Sequence, residues 1–103
     1  MIESEFNRLA DAALARIETA IDNSDGDVEC NHSGNVLEIE FDNGQKIIVN
    51  RHDVNQEIWV AARSGGFHYA WQGGAWRSQR DGSELFGKLV GLFAEQGERL
   101  AFS

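Results

Sequence analysis

The spacing of apolar residues changes twice along this chain, and that change constrains the fold more tightly than any other feature. Ile2, Phe6, Leu9, Ala13, Ile17 and Ile21, joined by Ala10, Leu14 and Ala20, recur at intervals of three and four. This is the stripe of an amphipathic helix, expected over about residues 3–22. The period then falls to two: Leu37, Ile39 and Phe41 alternate with Glu38 and Glu40, so Val36 to Phe41 reads as a strand with one buried face. The helical spacing returns in Leu85, Phe86, Leu89, Val90, Leu92 and Phe93. A second helix is expected to about Gln96, with Ser83 as N-cap, Glu84 in the first turn and Gly97 as the stop.

The segment between the helices divides at its turn residues. Val28 to Cys30 reads as a short edge strand and Lys46 to Asn50 as the return of Val36–Phe41, with Asn43-Gly44 between them as a type I′ hairpin turn. Glu57–Ala62, Phe67–Trp71 and Ala75–Gln79 follow, separated by Ser64-Gly65-Gly66 and Gln72-Gly73-Gly74. The expected fold is therefore α+β: a two-layer αβ sandwich with both helices on one face of a five- to six-stranded antiparallel sheet and solvent on the other. A chain of 103 residues supports one core, so a single domain over 1–103 is expected, with no repeat and no linker. No apolar run approaches the length of a membrane span, and the N-terminus has no basic region, which points to a cytoplasmic protein without a membrane partner. The single cysteine, Cys30, reads as a small apolar residue of a strand.

Charge is unevenly placed. Residues 1–42 hold eleven Asp and Glu against Arg8 and Arg16, a net of −9, whereas residues 43–103 hold six acids against seven Lys and Arg, a net of +1; together they give −8. A local negative field repels nucleic acid and attracts cations or a basic protein surface. On the first helix Asp11, Glu18 and Asp22 fall in a narrow arc beside the apolar stripe, and Asp25, Asp27 and Glu29 continue the line. Like charges three or four residues apart cost a few tenths of a kcal/mol per pair, or roughly 1 kcal/mol over Glu18, Asp22 and Asp25. Three readings are open at this point: a solvated acidic face, a weak open site for hard cations, and a surface for a basic partner.

Conventional catalytic patterns are missing: the chain has no GxSxG, P-loop, GxGxxG or HExxH. An EF-hand frame with Gly26 in sixth place puts Ile21 first and His32 twelfth, so it fails. His32, His52 and His68 are too scattered to form a ligand motif. In Glu57–Ala62, Ile58, Val60 and Ala62 share one face and Glu57, Trp59 and Ala61 the other, so Trp59 stands on the solvent face. There it either anchors an interface or packs on its neighbours. Trp71 and Trp76 read as core or strand-edge residues.

Several motifs in order resemble the bacterial frataxins of the CyaY type: Ser4-Glu5-Phe6-x-Arg8-Leu9-Ala10-Asp11, Asp22-x-x-Asp25-Gly26-Asp27, the run Val36 to Arg51 with Asn43-Gly44, Ile58-Trp59-Val60-Ala61, and Gly65-Gly66-Phe67-His68. The resemblance implies the αβ sandwich independently. It also implies a non-enzymatic protein, with at most weak ferroxidase-type activity, that binds ferrous and ferric iron weakly, other divalent cations being able to substitute, and acts in iron–sulfur cluster assembly. Its implied partners are the cysteine desulfurase, which it would regulate, and the cluster scaffold, to which it would alternatively deliver iron as a chaperone or store. Carried over by position, the metal residues would be Asp11, Glu18, Asp22, Asp25, Asp27 and Glu29. The partner-binding residues would be Glu18, Asp22, Asp25, Asn50, Arg51 and Trp59. A monomer is implied, with metal-dependent oligomers as a further state. The chain departs from the pattern in having one acid at Glu18-Thr19 and one at Asp22-Asn23 where relatives often carry pairs, and in being shorter between Asp27 and Glu29, so its acidic ridge is thinner.

Overall fold

The computed structural model describes residues 1–102; Ser103, the last residue of the expected domain, lies outside the described residues. The elements run α1 (Glu3–Asp22), β1 (Val28–Ser33), β2 (Val36–Phe41), β3 (Lys46–His52), β4 (Glu57–Ala62), β5 (Gly65–Gln72), β6 (Ala75–Arg77) and α2 (Leu85–Glu95). The strands form one sheet in chain order, β1-β2-β3-β4-β5-β6, every neighbouring pair antiparallel. This is the expected two-layer α+β sandwich, with six strands.

Alternation decides which face is covered. Leu37, Ile39 and Phe41 of β2, Ile47 and Val49 of β3, Ile58 and Val60 of β4, Tyr69 of β5 and Trp76 of β6 are buried, and they join the buried stripes of both helices in one cluster. Phe6 of α1 meets Trp76 edge-on with ring centroids 6.0 Å apart, and Phe93 of α2 meets Phe41 at 4.9 Å. Trp71 leans edge-on against Trp76, as strand-edge packing requires. The chain after α2 closes the helical layer: Leu100 is buried, and Phe102 packs on Phe86 beneath the Arg16 guanidinium. No helix among the described residues is long and apolar enough to cross a membrane.

Local chemistry corrects five expectations. Gly44 has φ +86° while Asn43 does not share its left-handed conformation, so the β2–β3 connection is not a type I′ turn. Instead the Gly44 N–H donates to the Phe41 carbonyl (2.9 Å) and the Phe41 N–H to the Gln45 carbonyl (2.9 Å), a three-residue loop with glycine in the left-handed place. The pair that does meet the type I′ requirement is Gly73-Gly74, with φ +60° and +83°, between β5 and β6. At α2 the N-cap is Glu84, not Ser83: its carboxylate accepts from the N–H groups of Phe86 (3.0 Å) and Gly87 (3.1 Å). Ser83 is held in the preceding turn, where its carbonyl accepts from the Ser78 N–H (2.8 Å) and its own N–H donates to Asp81 (2.9 Å). That turn also ends β6 at Arg77, short of Gln79, while β1 runs on to Ser33 because Ser33 pairs with Val36. Ile2, counted in the helical stripe, precedes the first turn and is 69% exposed.

Candidate functional site: an acidic edge and an aromatic sheet face

The acidic edge is built by α1 lying over the edge strand β1. Burial of Ile17, Ala20 and Ile21 fixes the helix rotation, which leaves Glu18 half-buried and Asp22 exposed on the side facing β1. From β1, His32 reaches back to α1, with Nδ1 2.5 Å from Glu18 Oε1. Cys30 points the same way and is only partly buried. Burial pushes its thiol up to about 11, with the negative charges of Glu18 and Asp22 adding to the rise. Asp25 and Asp27 lie exposed in the segment joining α1 to β1.

The structure divides the six predicted metal residues among three places. Glu18, Asp22, Asp25 and Asp27 follow the α1–β1 edge. Glu29 sits on the opposite face of β1, directly across from Glu40 of β2. There Asp27, Glu29, Glu40 and Asp42 line a shallow groove of about 630 Å³. Asp11 is drawn away from the edge by the guanidinium of Arg51. Sequence reading missed Glu40 and Asp42; the signal that finds them is the β1–β2 register, which needs both strand ends. It also missed Glu98, whose carboxylate, brought in by the chain after α2, lies against Gly26. Among the described residues, no three His, Cys, Asp or Glu side chains converge to hold a metal ion.

The resemblance implies Arg51 beside Asn50 as partner-binding, but consecutive strand residues face opposite ways. Arg51 turns under α1 and is 9% exposed. Its Nε donates to Asp53 Oδ1 (3.0 Å), and its two terminal nitrogens donate to Asp11 Oδ1 and Asn7 Oδ1. It ties β3 to α1 and presents no donor to the open face.

Asn50 does face outward, paired across strands with Trp59. Trp59 is half-buried because both sides of its ring are covered. His52 stacks on one side (centroids 4.1 Å, planes 9° apart) and His68 on the other (4.2 Å, 4°). The indole N–H donates to Glu57 Oε1 at 2.8 Å. Trp59 therefore packs on its neighbours and still belongs to the solvent face. His68 is exposed there, as its alternation with Phe67 and Tyr69 requires.

The profile of the frataxin-like domain matches residues 1–99. This chain belongs to the frataxin family. Among curated relatives, the iron-sulfur cluster assembly protein CyaY of Dechloromonas aromatica is 54% identical over 97 residues, spanning 93% of this chain and 92% of that one. The protein of the same name from Janthinobacterium sp. is 55% identical over 102 residues, spanning 94% and 91%. Among solved structures, the frataxin from Psychromonas ingrahamii superposes with a TM-score of 0.92 at 35% identity, covering 100% of this chain and 99% of that one. Yeast frataxin, at 20% identity and a TM-score of 0.60 over 89% and 80%, shares the fold.

In this frataxin-family chain the chemistry of the site is electrostatic. Carboxylate oxygens are hard ligands and suit hard cations, and an open row of them without a closed cage binds such ions weakly and with little selectivity. The same row offers a basic protein surface several rim charges at once.

Proposed function

We propose that this protein acts in iron–sulfur cluster assembly as a non-enzymatic regulator of the cysteine desulfurase, docking through its acidic edge and the aromatic sheet face. The observation that carries the reading is the run of Glu18, Asp22, Asp25 and Asp27 along the α1–β1 edge, supported by relatives named for this assembly. Iron is cargo in this reading: Fe²⁺ or Fe³⁺ held by a few edge carboxylates tunes docking without a resident site. Calorimetry of the protein with a bacterial cysteine desulfurase tests it. Glu18→Lys with Asp22→Lys changes the edge by four charges and should weaken binding by about tenfold or more at low salt. An affinity unchanged by both the substitutions and added salt would overturn electrostatic docking.

A second reading, in which the protein carries or stores iron for the scaffold, is favoured by the groove of Asp27, Glu29, Glu40 and Asp42. It requires amide resonances of residues 25–42 to move on anaerobic addition of ferrous iron at millimolar concentration. Resonances that stay in place remove it.

A further inference from the structure

The arrangement around Trp59 is more than packing. Three aromatic rings from three adjacent strands, His52 of β3, Trp59 of β4 and His68 of β5, lie face to face within 9° of parallel. The outer two are imidazoles, the side chains that change charge between about pH 5 and 8. Because both indole faces are covered, Trp59 cannot swing into a partner's pocket without unstacking. A surface that docks here meets the edges of all three rings.

The surroundings fix the charge that these rings add. His52 faces Glu57 across β3–β4, and its own turn supplies Asp53, already bound by Arg51. On the β2 side its neighbours at the strand end, Asn35 and Val36, are uncharged. His68 faces Trp59 on β4, while Glu57, Gln79 and Arg80 line the same shallow cavity beside it. β6 presents Arg77 opposite Ala70, with a guanidinium N–H donating to the Gly82 carbonyl. One carboxylate, Glu57, thus lies near both imidazoles, and its Oε1 accepts from the indole N–H. His52 Nδ1 also accepts from the Asn55 N–H at 3.4 Å, a contact that protonation of that nitrogen removes.

We propose that the His52–Trp59–His68 stack makes the sheet face proton-responsive. Imidazoles that are neutral above the titration range leave the face free to meet a basic partner, and imidazolium charges formed below it repel that partner. The inference rests on the reading that a basic protein docks on this side of the molecule.

Two measurements separate the stack from that reading. In the protein alone, the indole N–H resonance of Trp59 should follow the Cε1–H resonances of His52 and His68 as the pH is lowered from about 8 to about 5.5. In His52→Gln with His68→Gln it should stay flat; a Trp59 signal indifferent to pH in the parent chain would overturn the proposal. With cysteine desulfurase as the probe, acidification over this range should weaken the parent chain about threefold more than the double variant. Groups outside the stack, and the partner's own, are common to both measurements, so only the difference counts. Equal pH dependence of the two affinities would overturn the proposal, as would loss of the native fold in the double variant, since a load-bearing stack is then structural. If the Trp59 resonance titrates as expected but neither protein binds at any pH, the docking reading is what fails.

Discussion

Replacing Arg51 separates a fold role from an interface role. Its three hydrogen bonds go to two carboxylates and one amide, and the guanidinium lies 5.6 Å from the Phe6 ring centroid. All three are charge-assisted, since the donor is a guanidinium, and such bonds contribute about 1.5–3 kcal/mol each, for a gross of roughly 4.5–9 kcal/mol. Most of this is offset. Asp11 and Asp53 are 68% and 49% exposed, so both regain water when the guanidinium goes, and the cost of burying that cation disappears as well. Arg51→Met, which keeps the stem's packing, should therefore destabilise the protein by about 2 kcal/mol. For a domain of this size that lowers Tm by roughly 8–16 °C. Arg51→Lys, with one nitrogen in place of three donors on a fork, should recover less than half. Urea unfolding followed by circular dichroism measures the difference, and calorimetry on the folded variant should find its affinity for cysteine desulfurase unchanged. A loss below about 0.5 kcal/mol, or a stabilised Met variant, would refute the tie between β3 and α1; normal stability with lost affinity would return Arg51 to the interface.

Glycine to alanine should act with opposite signs at two sites. Gly91 is an exposed position of α2 where a Cβ meets nothing within 4 Å, so Gly91→Ala should stabilise by about 1 kcal/mol; at Gly73, with φ +60°, Gly73→Ala should destabilise by about 1 kcal/mol, both read by thermal unfolding. The Cys30 thiol, raised to about 11 first by burial and then by Glu18 and Asp22, should react slowly with maleimide at pH 7, faster as pH rises, and faster still in Asp22→Lys. Because the folded thiol holds its proton more tightly than the ordinary group at 9.0, its contribution to stability is complete below that pH and is lost as pH rises through about 11. Glu29→Lys replaces a like-charge cross-strand pair with an attractive one opposite Glu40, and should raise stability by about 0.5 kcal/mol while weakening ferrous-iron shifts in the groove.

The helices, the strand count and the direction of Trp59 were legible because each depends on periodicity, which a single segment carries by itself. The misreadings occur where a contact distant in sequence decides. Asn43-Gly44 carries the dipeptide of a two-residue hairpin, yet register sets the loop one residue longer, and Asn43 Nδ2 is engaged by Gln96 after α2 at 2.7 Å. Ser83 has the better capping side chain, but the Ser78–Ser83 turn fixes its backbone before the helix begins, so the longer Glu84 reaches instead. The resemblance implies Asn50 and Arg51 together as partner-binding residues, and the two-residue period of the strand separates them. The cover that His52 and His68 give Trp59 needs three strands in register, which no one segment reveals.

The chain works against its own stability in one region. Elsewhere propensity, alternation and packing agree, as a sequence specifying one fold requires. Along α1, β1 and β2 they do not. Asp22 occupies the last turn of α1, where the helix dipole disfavours an acid and no basic residue compensates, and Glu29 lies directly against Glu40. Neutral or basic residues at these places would fit the local structure better and fold the same sandwich. Surface acids that only keep a protein soluble can be scattered where they cost nothing. These are placed where they repel one another along α1 and across β1 and β2, beside a Cys30 thiol that Glu18 and Asp22 help keep protonated, and positive charge arriving from outside relieves that repulsion. That is the physical ground on which we propose that the edge meets an ion or a basic partner.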